Sequence, residues 1–222
     1  MAGTYSVGDK TKAEILNGSR KLFYKNGYKE TTYNDISEYI NINRALIPYH
    51  FKSKQALAFS VYSEIVDTAI SKADELLDTN SLSGDLTAAF NIIIFFRLFS
   101  NKHFTNFTCE LMADNSDLFD DENREKELLY MLSDSTSDIS LDTSDGKIIC
   151  GSMCAIRRKL ISIMKLENYN TDELAQIYIK YGLNSINIFD NTATELFDSS
   201  KQLADLISVD IRKGFQLSVS YR

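Results

Sequence analysis

The sequence predicts an all-α protein: a three-helix helix-turn-helix domain over residues 1–54, followed by a larger helical domain over residues 55–222. Three observations carry this reading. The 222 residues include one proline and nine glycines, too few breakers for many short strands. Apolar residues make up 44% of the chain and recur at four-residue spacing. Helix-start and helix-stop residues fall between these apolar stripes.

The first helix is expected over 12–26. Thr11 and Glu14 have capping-box spacing, Ile15, Leu16, Leu22 and Phe23 form one stripe around Ser19, and Asn26-Gly27 ends it. The second starts at Thr31-Thr32 with Asp35 three residues on, and Ile36 and Ile40 share its face. Asn41 tolerates a left-handed turn, Ile42 plugs it, and Asn43 is placed to cap a third helix whose Ile47 and Phe51 face inward. Two short helices joined by about three residues with an apolar plug form the helix-turn-helix pattern.

In that arrangement Arg44, Ala45, Leu46, Tyr49 and His50 remain outside. Arginine reads guanine edges, apolar groups meet thymine methyls, and Tyr and His reach phosphate, so the face suits a DNA major groove. It also suits an ordinary amphipathic helix with exposed residues. The charge suggests a small segment that meets a polyanion, although small basic excesses are also common in ordinary domains. Residues 1–54 carry nine Lys/Arg against five Asp/Glu, whereas residues 55–222 carry 15 against 26, within a net charge of -7.

The pieces LFYKNGYKETTYNDIS at 22–37 and NINRALIPYHFKSKQAL at 41–57 resemble the DNA-binding domain of the TetR family of bacterial transcriptional regulators. The shared order is a Leu-Phe helix end, a Gly-Tyr turn, a Thr-Thr cap, Asp-Ile, a plugged turn and Tyr-His-Phe-x-x-Lys. The resemblance covers about the first quarter of the chain. It implies that Thr32 and Tyr33 touch backbone phosphate, that Asn43, Arg44, Ala45 and Leu46 face the groove, and that Tyr49, His50 and Lys54 meet phosphate. Four positions depart from the family's usual pattern: Asn41 for glycine, Asn43 for Ser or Thr, Ala45 for glycine, and Pro48 for an aromatic that contacts phosphate. Pro48 lacks an N–H for the Arg44 carbonyl, so the third helix is expected to bend or tighten near residue 47.

Lys54 to about 78 reads as one long helix through Leu57, Val61, Ile65 and Ala69. LTAAFNIIIFFRLF, within a helix over 85–100, is apolar nearly all round and is expected at the centre of the body. Shorter helices are expected over 103–113 and 122–134, a Ser/Asp/Thr-rich flexible connection over 133–145, long helices over 145–166 and 171–189, and a last helix or helix pair over 192–213. No segment reads as a strand. The two long helices are candidates for a homodimer interface, since a helix-turn-helix reads a palindromic operator as a twofold pair.

The resemblance implies a small-molecule effector in the body. Phe96, Phe99, His103, Phe107, Met112 and Tyr130 are the candidate pocket residues, and each aromatic equally fits plain core packing. Arg97 is a further polar group for such a pocket or for the surface. Cys150 and Cys154 share a helix face beside Arg157 and Arg158, a spacing that suits either a thiol sensor or small packing residues. With two histidines far apart, no metal site, no phosphate-binding loop and no nucleophile elbow, the sequence predicts neither an enzyme nor a cofactor. The amino terminus lacks a signal peptide's apolar core, no run approaches a membrane span, and three cysteines make no disulfide framework, so a cytoplasmic protein is expected. The leading expectation is a dimeric repressor of double-stranded DNA released by a small molecule. The alternative is an all-helical carrier of a hydrophobic molecule with a head that does not bind DNA.

Overall fold

A computed structural model describes residues 7–133, 140–166, 169–189 and 192–222. The first helix, α1 (Val7–Glu30), begins earlier than expected, so Thr11 lies inside it and does not cap it. Asp9 occupies its first turn, where a carboxylate favours the positive end of the helix dipole. Gly27 breaks the helix with φ 81 and ψ 174, a conformation in which a side chain is strained, and the last residues form a separate turn. The Thr31 hydroxyl donates to the Gly27 carbonyl at 2.7 Å and closes it.

Then come α2 (Tyr33–Ile40) and α3 (Leu46–Phe51). Ile15, Phe23, Ile36 and Ile47 are fully buried between them. A methyl on Gly18 would stand 2.4 Å from Ile40 Cγ2, so glycine there lets α1 and α2 approach. Ser53 caps α4 (Lys54–Leu77), its Oγ accepting from the Ala56 N–H at 3.0 Å.

The body is built on α5 (Gly84–Arg97), which packs against α4, α7 (Glu122–Leu132), α9 (Thr171–Ser185) and α10 (Thr192–Ala204). Phe90, Ile93, Ile94 and Phe96 of α5 are fully buried, as its all-round apolar sequence requires. In chain order α6 (Lys102–Asp114) follows α5, and α8 (Ser144–Leu166) lies against α6, α7 and α9. Part of the connection expected over 133–145 falls outside the described residues.

The tail departs from the expectation. The chain after Ala204 is not helical: β1 (Ile207–Arg212) and β2 (Gln216–Tyr221) form an antiparallel hairpin in the register Ile207↔Tyr221 to Arg212↔Gln216. The physical reason is a period of two, with Ile207, Val209 and Ile211 facing one way and Leu217 and Val219 answering them, around a turn with Gly214 at φ 75 and Phe215 at φ 54. Arg97 Nη2 meets Asp205 at 2.6 Å just ahead of the hairpin's open end, and Asn101 Nδ2 donates to the Ile211 carbonyl at 2.7 Å near its turn, so both ends of β1 are fastened to the body. Strand β2 lies along α4, and the Tyr221 hydroxyl donates to the Leu76 carbonyl near the far end of that helix.

Head and body meet where α1 crosses α6. The Tyr24 ring stacks on His103 at 4.3 Å, the Lys29 N–H donates to Glu110 Oε2 at 2.9 Å, and the Tyr28 hydroxyl donates to Asp114.

Candidate nucleic-acid interface

The helix-turn-helix is locked by local hydrogen bonds. The Thr32 Oγ accepts from the Asp35 N–H at 3.2 Å, and the Thr32 N–H donates to Asp35 Oδ2 at 2.7 Å, a reciprocal capping box. Hydrogen bonds from the Thr32 hydroxyl and N–H hold the Asp35 carboxyl below its usual range. Asn41 ends α2 with φ 54, as its side chain allows, and Ile42 donates back to the Ser37 carbonyl at 3.0 Å.

The start of α3 differs from the expectation. Asn43 does not cap the helix directly: its Oδ1 accepts from the Ala45 N–H at 2.9 Å and makes a turn one step ahead of it. Two bonds of the tighter i to i−3 kind follow, from Leu46 to the Asn43 carbonyl and from Ile47 to the Arg44 carbonyl at 3.2 Å. The Arg44 carbonyl, which Pro48 cannot serve, is therefore satisfied by Ile47. Pro48 is the third residue of α3, within the first turn, whose N–H groups have no partner inside the helix. The helix is thus tightened at residue 47, and the proline sits where no interior hydrogen bond is lost.

Ile47 and Phe51 are buried, while Asn43, Arg44, Ala45, Leu46 and Tyr49 are exposed; Tyr49 keeps 79% of its surface. The half-buried His50 meets the Tyr49 ring edge-on at 5.0 Å. Thr32 is exposed beside half-buried Tyr33 at the start of α2. Lys54 is held inside the head: its Nζ donates to the Lys29 carbonyl at 3.1 Å and lies 4.4 Å from the centre of the Tyr28 ring. Lys52, which the sequence reading passed over, is exposed at the end of α3 with φ 57.

The body contains a cavity of about 240 Å³ between α4, α5, α7, α8 and α9. Phe59, Tyr62, Ile92, Phe95 and Phe119 supply its apolar walls. None of the six residues expected to form a pocket lines it. Phe96 is core packing against Tyr178, and Phe107 packs between Phe23 and Phe215. His103 stacks on Tyr24 at the surface, Phe99 is buried beside Phe104, and Met112 packs partly buried against the core. Tyr130 is exposed, its hydroxyl accepting from the Leu141 N–H at 3.1 Å. Arg97 is bound by Asp172 and Asp205 away from this cavity.

Behind the cavity a buried group closes on itself. Glu125 is fully buried and accepts from both Arg157 and the Tyr178 hydroxyl, and Arg157 Nη2 donates to the Phe119 carbonyl at 2.8 Å. Burial pushes the Tyr178 hydroxyl pKa well up, and the neighbouring Glu125 carboxylate adds to this. Burial also raises the Cys154 thiol to about 11 and raises that of Cys150, so the pair lacks the thiolate character of a sensor and packs as small core residues.

Residues 15–61 match the sequence model of the family described as bacterial regulatory proteins, tetR family. The matched span runs from α1 through the plugged turn and α3 into α4, the same elements whose geometry is given above. Over this span the amino-terminal domain is similar to that family. The chain is 28% identical over 97 residues to a probable HTH-type transcriptional regulator, ArpR, of Pseudomonas putida, covering 41% of this chain and 46% of that protein. It is 31% identical over 65 residues to the HTH-type transcriptional regulator TtgR, also of Pseudomonas putida, covering 29% of this chain and 31% of that one. The chain therefore spans less than half the length of the curated relatives it matches.

Over most of the chain the likeness is one of fold. The structure of RolR with resorcinol superposes with a TM-score of 0.60 at 14% identity, covering 88% of this chain and 95% of that one. SmeT, the repressor of the Stenotrophomonas maltophilia multidrug efflux pump SmeDEF, gives 0.54 at 15% identity, covering 82% and 95%. In the head, Asn41 takes a left-handed turn that suits glycine, with φ 54, and Ile42 still closes the turn on the Ser37 carbonyl at 3.0 Å.

Proposed function

We propose that the chain is a sequence-specific DNA-binding transcriptional regulator of the cytoplasm, a repressor that works as a homodimer on a palindromic operator and is released by a small molecule bound in the body. Residues 1–54 serve as the DNA-binding head and residues 55–222 as the ligand-binding and dimerisation domain. One observation carries the reading: α3 buries Ile47 and Phe51 while it leaves Arg44, Ala45, Leu46 and Tyr49 open to a partner. The head's positive charge against an acidic body supports the same assignment. Arg44 reads a base edge, Thr32, Tyr33, Tyr49 and His50 position the head on phosphates, and Asn43 shapes the turn that presents them. Exposed apolar groups on α8 and α9, namely Ile148, Ile177 and Tyr181, support pairing of two copies. Among the described residues no helix is long and apolar enough to cross a membrane.

The test is a mobility-shift titration of the full chain against DNA upstream of its own gene at several salt concentrations. The expected result is a specific complex whose affinity falls steeply with salt. Arg44→Ala should weaken that complex by about 1–3 kcal/mol and relax base preference. Unchanged affinity and preference in Arg44→Ala would remove α3 from the groove. Absence of any DNA complex, with an apolar molecule co-purifying, would leave the carrier reading in its place.

A further inference from the structure

The cavity behind α4 has a chemistry that selects its occupant. Its interior holds a cation, Arg157, but that charge is already answered by buried Glu125. Among the described residues, an anion entering the cavity finds no unpaired positive charge, and a cation finds no unpaired carboxylate in the interior. The charged groups Asp121, Arg124 and Glu127 stand exposed around it, and Arg124 is paired with Asp67 at 3.2 Å. The interior therefore suits a neutral molecule.

Asn91 of α5 adds one unmet need. It lines the cavity, and its Oδ1 is buried with no hydrogen-bond partner among the described residues. Its amide orientation is set by Asp74, whose Oδ2 lies 3.5 Å from Nδ2; the opposite orientation would set two acceptors against each other. A buried carbonyl oxygen without a donor is costly, and a ligand N–H or O–H relieves that cost. The walls set the rest. Phe59 meets Tyr62 at 5.7 Å and Phe119 edge-on at 5.6 Å, an aromatic lining that favours a flat ring. A cavity of about 150 Å³ holds one benzene ring, so this cavity of about 240 Å³ holds one or two rings.

We propose that the cavity takes a neutral, flat aromatic molecule of one or two rings carrying a hydrogen-bond donor, and that Asn91 Oδ1 accepts from that donor. This rests on the reading of the cavity as the effector site. It adds the class of ligand and the residue that selects it.

Indole and benzofuran are near-isosteres that differ by the N–H donor, and indole-5-carboxylate adds a negative charge. The chain has no tryptophan, so the fluorescence of bound indole can be excited selectively over its tyrosines. Direct titration of the full chain with indole, and competition by the other two, should show indole binding at least about ten-fold tighter than either. In Asn91→Leu the gap between indole and benzofuran should close to within about two-fold, with benzofuran still bound. Equal binding of indole and benzofuran by the unaltered chain, tightest binding of the carboxylate, or no binding of any of the three would overturn the proposal. The comparison on the unaltered chain decides this even if Asn91→Leu does not fold. A chain that binds indole with the expected selectivity but shifts no DNA would leave the ligand class standing and overturn the regulator reading instead.

Discussion

Lys54 opens α4 with its ammonium 3.1 Å from the Lys29 carbonyl oxygen and over the Tyr28 ring. Burial lowers its pKa, opposed by the carboxylates of Asp114, Glu110, Glu30 and Asp35. The side chain implied to meet phosphate is therefore also a strut that holds the Gly27 turn. Lys54→Met, which keeps the apolar stem, should lower stability by about 1 kcal/mol in urea denaturation, whereas Lys52→Ala at the exposed neighbour should change it by less than about 0.5 kcal/mol. Equal effects of the two would remove Lys54 from the fold's framework. Tyrosines raised by burial set the alkaline limit, Tyr33 among them. Burial raises the hydroxyls of Tyr28 and Tyr178 and pushes that of Tyr62 up to about 12. A raised tyrosine pKa means that the unfolded chain loses its proton first, so this contribution is complete below the ordinary value of about 10 and is lost as pH rises through the folded values. Stability should therefore be unaffected by these groups near neutrality and fall between about pH 10 and 12, read by circular dichroism against pH. Tyr62→Phe should flatten part of that fall.

At the scale of elements, α3 shows why one helix was legible and its start was not. Ile47 and Phe51 fix its buried face by spacing alone. Its first residue depends on a contest between two uses of Asn43, a helix cap or a turn closed on Ala45, and spacing does not decide that contest. Pro48 decides it, because a helix beginning at Leu46 places the proline where no internal N–H bond is lost. Pro48→Ala should consequently gain nothing like the roughly 3 kcal/mol expected from removing an interior proline. It should be neutral or destabilising by up to about 1 kcal/mol, because it loosens the unfolded chain. A urea midpoint raised by the larger amount would mean that the proline strains the helix after all. The helices of the body were legible through caps and stripes, from Ser53 at the start of α4 to the Asp-Glu turn of α9. The cavity was not, because its walls come from five helices and the short turn at Ser116–Phe119, far apart in sequence, and no local period marks them. Aromatic density drew attention to Phe96 and Phe107, and density of that kind marks core as readily as it marks a pocket.

Across the whole molecule, the hairpin joins parts that sequence order keeps far apart. Its base is tied to Arg97, Asn101 holds β1 near the turn, its second strand runs along α4, and its tip sets Phe215 at 5.2 Å from the Tyr24 ring of α1 and 5.3 Å from the Phe107 ring of α6. Phe215 is fully buried although its φ of 54 lies in a region that bulky residues rarely adopt. The backbone is thus held in an unfavourable conformation by the packing of one ring between head and body. This was illegible because each strand is only six residues long, and an alternation that short, following directly on α10, also reads as a helix end. The two contributions can be separated. Phe215→Ala removes the ring and keeps the strained conformation, and should destabilise the chain by about 3–5 kcal/mol. Phe215→Gly removes the same ring but accepts a positive φ freely, and should be less damaging than alanine by up to about 1 kcal/mol. That order reverses the usual one, in which glycine is the worse replacement. Urea denaturation of the three proteins side by side measures it, and alanine proving the milder change would mean that the tip does not hold its left-handed turn in solution.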